Sequence, residues 1–172
     1  MIRNTIILII SSLVASSFTP ADKGHSEYAR LLKLEHRALL SAIGKTYIYD
    51  LTGKEGCNKT RIKYLGVVHT RQGKRYKILT SFFVFSASAT CHGTSKIKIF
   101  DMKNRYIGEY YVGMPEGLPD ILRKNKLLYL ENSEDCDLRK TRSINLSNGL
   151  PKTFFIPCSK KGGDMYSFSS GN

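Results

Sequence analysis

Beyond residue 44 the apolar residues of this chain recur with a period of two rather than 3.6, a property that restricts it to a sheet-based fold. Lys96 and Lys98 alternate with Ile97 and Ile99, and Arg61 and Lys63 alternate with Ile62 and Tyr64. Successive strand side chains point to opposite faces, so both patterns predict one wet face and one dry face. Strands are predicted at 45–51, 61–70, 75–86, 96–101, 105–112, 126–131, 141–146, 152–157 and 164–168. They are rich in Tyr, Phe, Ile, Val and Thr, and Gly, Asn, Asp, Ser and Pro clusters separate them. Phe82-Phe83-Val84-Phe85 is apolar on both faces and predicts a central, buried strand. Met114-Pro115-Glu116-Gly117-Leu118-Pro119 predicts an irregular link, followed by a short helical turn at 120–125.

Only residues 26–43 read differently. Apolar side chains at 28, 31, 32, 39, 42 and 43 share one face of an α-helix, with Ser26 as its N-cap and Gly44 just past its end. The expected architecture is therefore mainly β: an antiparallel meander, a small sandwich or barrel-like, with one N-terminal helix. No internal repeat or interdomain linker interrupts residues 22–172, which read as a single domain.

The N-terminus carries one charge, Arg3, before an apolar run over residues 6–18 that closes on small residues. This is the order of a secretory signal peptide, assigned here to residues 1–21. The run falls short of the roughly 20 residues that a spanning helix needs, so no stable membrane span is expected. Export, to a periplasm or outside the cell, in turn licenses reading Cys57, Cys91, Cys136 and Cys158 as two disulfides. Three pairings are open, and hairpin geometry chooses among them. A tight turn at Arg71-Gln72-Gly73-Lys74 sets His69 opposite Tyr76 and Cys91 opposite residue 54, near Cys57. A second hairpin, 141–146 with 152–157, sets Cys158 opposite residue 140, near Cys136. Both point to Cys57–Cys91 and Cys136–Cys158. Metal ligation is the rival reading, and no CxxC spacing supports it, so no metal or other cofactor is expected.

The formal net charge is +13. Such a charge favours an anionic polymer, a membrane surface or an acidic protein as partner. The basic residues are densest at Lys59, Arg61, Lys63, Arg71, Lys74, Arg75 and Lys77, with Lys54 before them and Tyr64 and Tyr76 among them. These seven are the candidate anion-binding residues; a second group is Arg139, Lys140 and Arg142. The plainer reading is that strand lysines line solvent faces and discourage edge-to-edge aggregation. Asn58-Lys59-Thr60 and Asn145-Leu146-Ser147 match the glycosylation sequon, a short pattern that arises easily by chance.

No HExxH, GxSxG, Walker or dinucleotide fingerprint occurs, and no catalytic residue is assigned. The expectation is an exported binding or interaction protein: an inhibitor, an immunity-type protector or an envelope component. The alternative is a small secreted hydrolase of nucleic acid or another anionic polymer, drawing on His69, His92, Glu55, Glu109, Arg61 and Arg75. It requires a histidine within hydrogen-bond reach of a carboxylate in a cleft, so His25, His36, His69 and His92 decide it.

Overall fold

The computed structural model describes residues 23–50, 52, 56–87, 90–134 and 136–171. The proposed signal peptide, Lys54 and Glu55 lie outside the described residues. The chain is mainly β with one helix, as the two-residue period predicts. Helix α1 (Lys23–Leu39) leads into β1 (Thr46–Asp50), β2 (Asn58–His69), β3 (Arg75–Ala87), β4 (Thr90–Phe100) and β5 (Tyr106–Gly113). Then come β6 (Ile121–Arg123), β7 (Lys126–Leu128), β8 (Ser143–Asn145), β9 (Thr153–Pro157) and β10 (Gly163–Ser170). An antiparallel seven-stranded sheet runs β1-β2-β3-β4-β5-β10-β9, and a three-stranded one runs β6-β7-β8.

The alternation sorts side chains into two cores, one on each face of the large sheet. Ile78, Ile97, Ile99 and Tyr110 pack toward the small sheet with Leu127, Ile144 and Leu146. Their neighbours Leu79 and Phe100, with Ile62 and Tyr64, pack toward α1 through Ala38 and Leu39. Each fully buried Ile or Leu contributes about 1.5–3 kcal/mol through its removal from water. A bulge between Tyr64 and Gly66 reverses the alternation of β2, so that past it Val68 joins Leu65 toward the small sheet while Val67 faces the helix. Gly66 takes φ +125°, which a side chain would disfavour.

Several expectations need correction. The helix begins one turn early, so Ser26 lies inside it, and it ends at Leu39. Ser41 caps it by donating from its backbone N–H and hydroxyl to the Ala38 carbonyl, and Gly44 donates to the Tyr64 carbonyl, drawing the chain into β1. Residues 120–125 form the β6–β7 hairpin rather than a helical turn. Its central residues Lys124 and Asn125 both have positive φ, the geometry of a type I′ turn. The Asn125 side chain then clamps both backbone groups of His69. The link before it contains one 3-10 turn, Pro115–Gly117.

Pairing in the β2–β3 hairpin sets His69 against Arg75 and Val68 against Tyr76, one residue off the predicted register. The predicted hairpin of 141–146 with 152–157 does not form: β8 pairs with β7, and β9 with β10. Leu146 is held in the core and the Tyr110 hydroxyl bonds the Pro151 carbonyl, so this stretch crosses between sheets instead of doubling back. Both disulfides nevertheless link the predicted partners, Cys57–Cys91 and Cys136–Cys158, although Cys91 lies on β4 opposite Ser86 of β3 and not opposite residue 54. Residues 82–85 are half-buried and not the buried strand predicted: Phe83 and Phe85 extend the helix-side face, and Phe82 and Val84 lie on the groove face beside Arg61 and Lys59.

The β4–β5 turn is organised by Asp101, whose carboxylate accepts from the Arg105 and Lys103 backbone N–H groups and from the Arg105 guanidinium. These bonds, the Arg105 amide foremost, hold its carboxyl below the ordinary 3.8. A lowered folded-state value adds stability above pH 3.8 that is lost as pH falls through it. NMR titration should show Asp101 as a late-protonating carboxyl, with amide protection at Lys103 and Arg105 falling in the same range. Titration at or above 3.8 would contradict this.

Candidate functional site

Cross-strand register builds a small groove on the large sheet. Thr46, Lys63 and Thr80 lie side by side across β1, β2 and β3, and Ile48, Arg61 and Phe82 form the next row. Each row shares one face, because directly paired residues point the same way. The link before β6 supplies the opposite wall through Pro115, Leu118, Pro119 and Asp120, enclosing about 350 Å³. Arg61 lies 5.6 Å over the Phe82 ring, which holds its guanidinium in place. Neither Arg61 nor Lys63 has an ion-pair partner within 4 Å among the described residues. Asp120, which lines the same groove, has one carboxylate oxygen bonded by the Leu130 amide.

A second, larger cavity of about 670 Å³ has the opposite character. Glu116, Glu134 and Asp164 line it, and its one cation, Arg139, is already engaged. Arg139 donates to both sulfurs of Cys136–Cys158, to the Glu116 carbonyl and to Asp164, and it lies over Tyr129. The Tyr166 hydroxyl also donates to Asp164, and burial pushes Tyr166 far above the ordinary phenol range. This buried arginine has structural work, and the described lining of the cavity offers no free positive charge for an anion. Among the described residues no His, Cys, Asp and Glu side chains gather as a metal site would require.

The seven candidate basic residues fall in three places. Lys59, Arg61 and Lys63 share the groove face of β2, and Lys59 stands between Asp50 and Val84. Arg71 and Lys74 sit exposed at the β2–β3 turn. Arg75 and Lys77 occupy the helix-side face of β3, where Lys77 donates to Asn104. Sequence reasoning missed Thr46, Ile48, Thr80, Phe82 and Asp120. The first four follow from strand register, and the last only from how the Pro115–Asp120 link folds over the sheet. Of the histidines, His36, His69 and His92 are exposed and line neither cavity. The His92 ring stacks on Phe85 and its Nε2 meets the Thr90 hydroxyl. His25 lies on α1 among residues whose side chains are not described. Glu109 is paired with Lys96 at 2.5 Å. No family model, curated protein or solved structure matches this chain.

Proposed function

We propose that this is an exported binding protein, an inhibitor, immunity-type protector or envelope component, that grips an anionic group of its partner between Arg61 and Lys63. The observation that carries this reading is two cations in one concave groove, neither of them ion-paired within 4 Å among the described residues, against the single carboxylate of Asp120 in the described lining. Export rests on the N-terminal apolar run and fits the two disulfides, and no helix among the described residues is long and apolar enough to cross a membrane. Arg61 offers a planar fork suited to carboxylate, sulfate or phosphate, and Lys63 adds a mobile point charge. The hydrolase alternative gains no support from the described residues, where none of His36, His69 and His92 has a hydrogen bond or ion pair with a carboxylate.

The test uses a fluorescent heparin oligosaccharide as anionic probe, titrated at several salt concentrations. Arg61→Ser with Lys63→Ser should weaken binding at least tenfold and flatten its salt dependence. Lys103→Ser with Lys160→Ser removes equal charge from exposed sites and should change affinity less than threefold. Equal losses in the two double variants would reduce the attraction to net charge and overturn the groove assignment.

A further inference from the structure

The groove opens toward β1, and β1 is an edge strand. Among the described residues nothing pairs with its outer side. An exposed edge is a template for another strand, and proteins commonly blunt such edges with proline, lysine, bulges or brevity. β9, at the other end of the sheet, ends on Pro157 and follows Lys152; the small sheet's edge strands β6 and β8 have three residues each. β1 has only the lysine that precedes it, Lys45, whose ammonium lies over the Tyr47 ring on the helix side. Its sequence Thr46-Tyr47-Ile48-Tyr49-Asp50 is β-prone, contains neither proline nor lysine, and pairs with β2 without a bulge. Ile48, at its centre, is 61% exposed.

We infer that the outer edge of β1 receives an extended acidic peptide by strand addition, with alternate acidic side chains reaching the Arg61–Lys63 groove. This deepens the reading above and rests on it. Neighbouring strands lie about 4.8 Å apart, which puts an added strand about 10 Å from β2, within the joint reach of a glutamate and an arginine. Arg61 and Lys63 are two residues apart on one face, a rise of about 7 Å. They therefore match acidic residues at every second position of the incoming strand. The residue between those two acids turns to the other face, beside the stacked Tyr47 and Tyr49 rings, which suit an apolar side chain. The partner's signature is thus acidic, apolar, acidic in extended conformation, recognised through its backbone as well as its charge.

The probe is a fluorescein-labelled peptide with Glu-Val-Glu-Val at its centre, measured by anisotropy against the oxidised protein. Only alternate amides of an added strand face the edge. N-methylating that set should weaken binding at least tenfold, and N-methylating the other set less than twofold. Arg61→Ser with Lys63→Ser should also cost at least tenfold. Equal sensitivity to both methylation sets, or sensitivity to neither, overturns strand addition. If heparin binding then still falls in the double variant, the anionic groove stands without it. If neither peptide nor heparin responds to the double variant, both readings fail. Concentration-dependent dimerisation abolished by Ile48→Lys would assign the edge to a second copy of the chain and overturn the peptide proposal.

Discussion

Replacing Lys98 with methionine is expected to lower the unfolding free energy at pH 7 by about 3–5 kcal/mol, as removal of one partner from a buried ion pair does. Lys98, on β4, points into the layer between sheet and helix, where its ammonium lies 2.8 Å from Oε1 of Glu35 and donates to Oε2 at 3.1 Å. Glu35 is wholly buried on α1. Lys96 and Glu109, themselves paired, are the other charges that act on it. Burial raises the Glu35 carboxyl above its ordinary 4.5, and Lys98 opposes that rise. In the variant the opposing charge is gone, so the raised value climbs further. A carboxyl raised on folding contributes stability that is complete below 4.5 and is lost as pH climbs through the folded-state value. The deficit of Lys98→Met should accordingly be largest at neutral pH and shrink toward pH 4.5. Urea midpoints across this range measure it, and a pH-independent deficit would show that lost packing, not an unpaired charge, is responsible. Combining it with Glu35→Leu should recover wild-type stability to within about 1 kcal/mol, because an apolar pair of similar size removes both desolvation costs.

Reduction of the two disulfides is expected to be the other large effect. The bridges span separations of 34 and 22 residues. Loop-closure entropy returned to the unfolded chain makes each worth about 3–4 kcal/mol. Their joint loss rivals the whole net stability of an ordinary domain, about 5–15 kcal/mol. The oxidised protein should resist urea that unfolds the reduced one, and each Cys→Ser pair, removing one bridge, should lose roughly half the difference. Serine is the informative replacement at Cys136 and Cys158, since its hydroxyls still accept from the buried Arg139 guanidinium. A reduced protein with an unchanged midpoint would contradict this account. So strong a dependence on oxidation would also tie the fold to an oxidising compartment, in keeping with proposed export.

Particular residues show how much of this was readable in advance. Alternation identified Ile97 and Ile99 as core, yet it made Lys96 and Lys98 a wet face. Lys98 is buried because α1 covers that face and carries Glu35 within its own apolar stripe, beside Leu31, Leu34 and Ala38. Only a partner 63 positions away explains the lysine. The Cys136–Cys158 bridge was predicted from a hairpin that does not exist. What brings the cysteines together is the turn around Arg139, where the Leu138 amide bonds the Cys158 carbonyl. Half of the groove was legible, since Arg61 and Lys63 stand two apart on an alternating strand. The other half comes from β1, β3 and the Pro115–Asp120 link, whose positions depend on register and on packing across the sheet.

The sequence by itself determined the class of structure, because the two-residue period, the single helical segment and the turn residues are local properties that each stretch expresses alone. The cysteine pairs were anticipated correctly, but what joins them is tertiary: Cys91 stands on β4 opposite Ser86, and the turn around Arg139 brings Cys136 to Cys158. Tertiary structure alone decided that β10 slots between β5 and β9, that β8 turns to β7, and that one basic stretch divides over two faces and a turn. Those outcomes depend on free-energy differences between distant partners, chiefly which apolar faces bury each other and which charges find counter-ions. Among the described residues, Arg61 and Lys63 have no ion-pair partner within 4 Å at the groove beside β1, which is why the proposed binding surface is placed there.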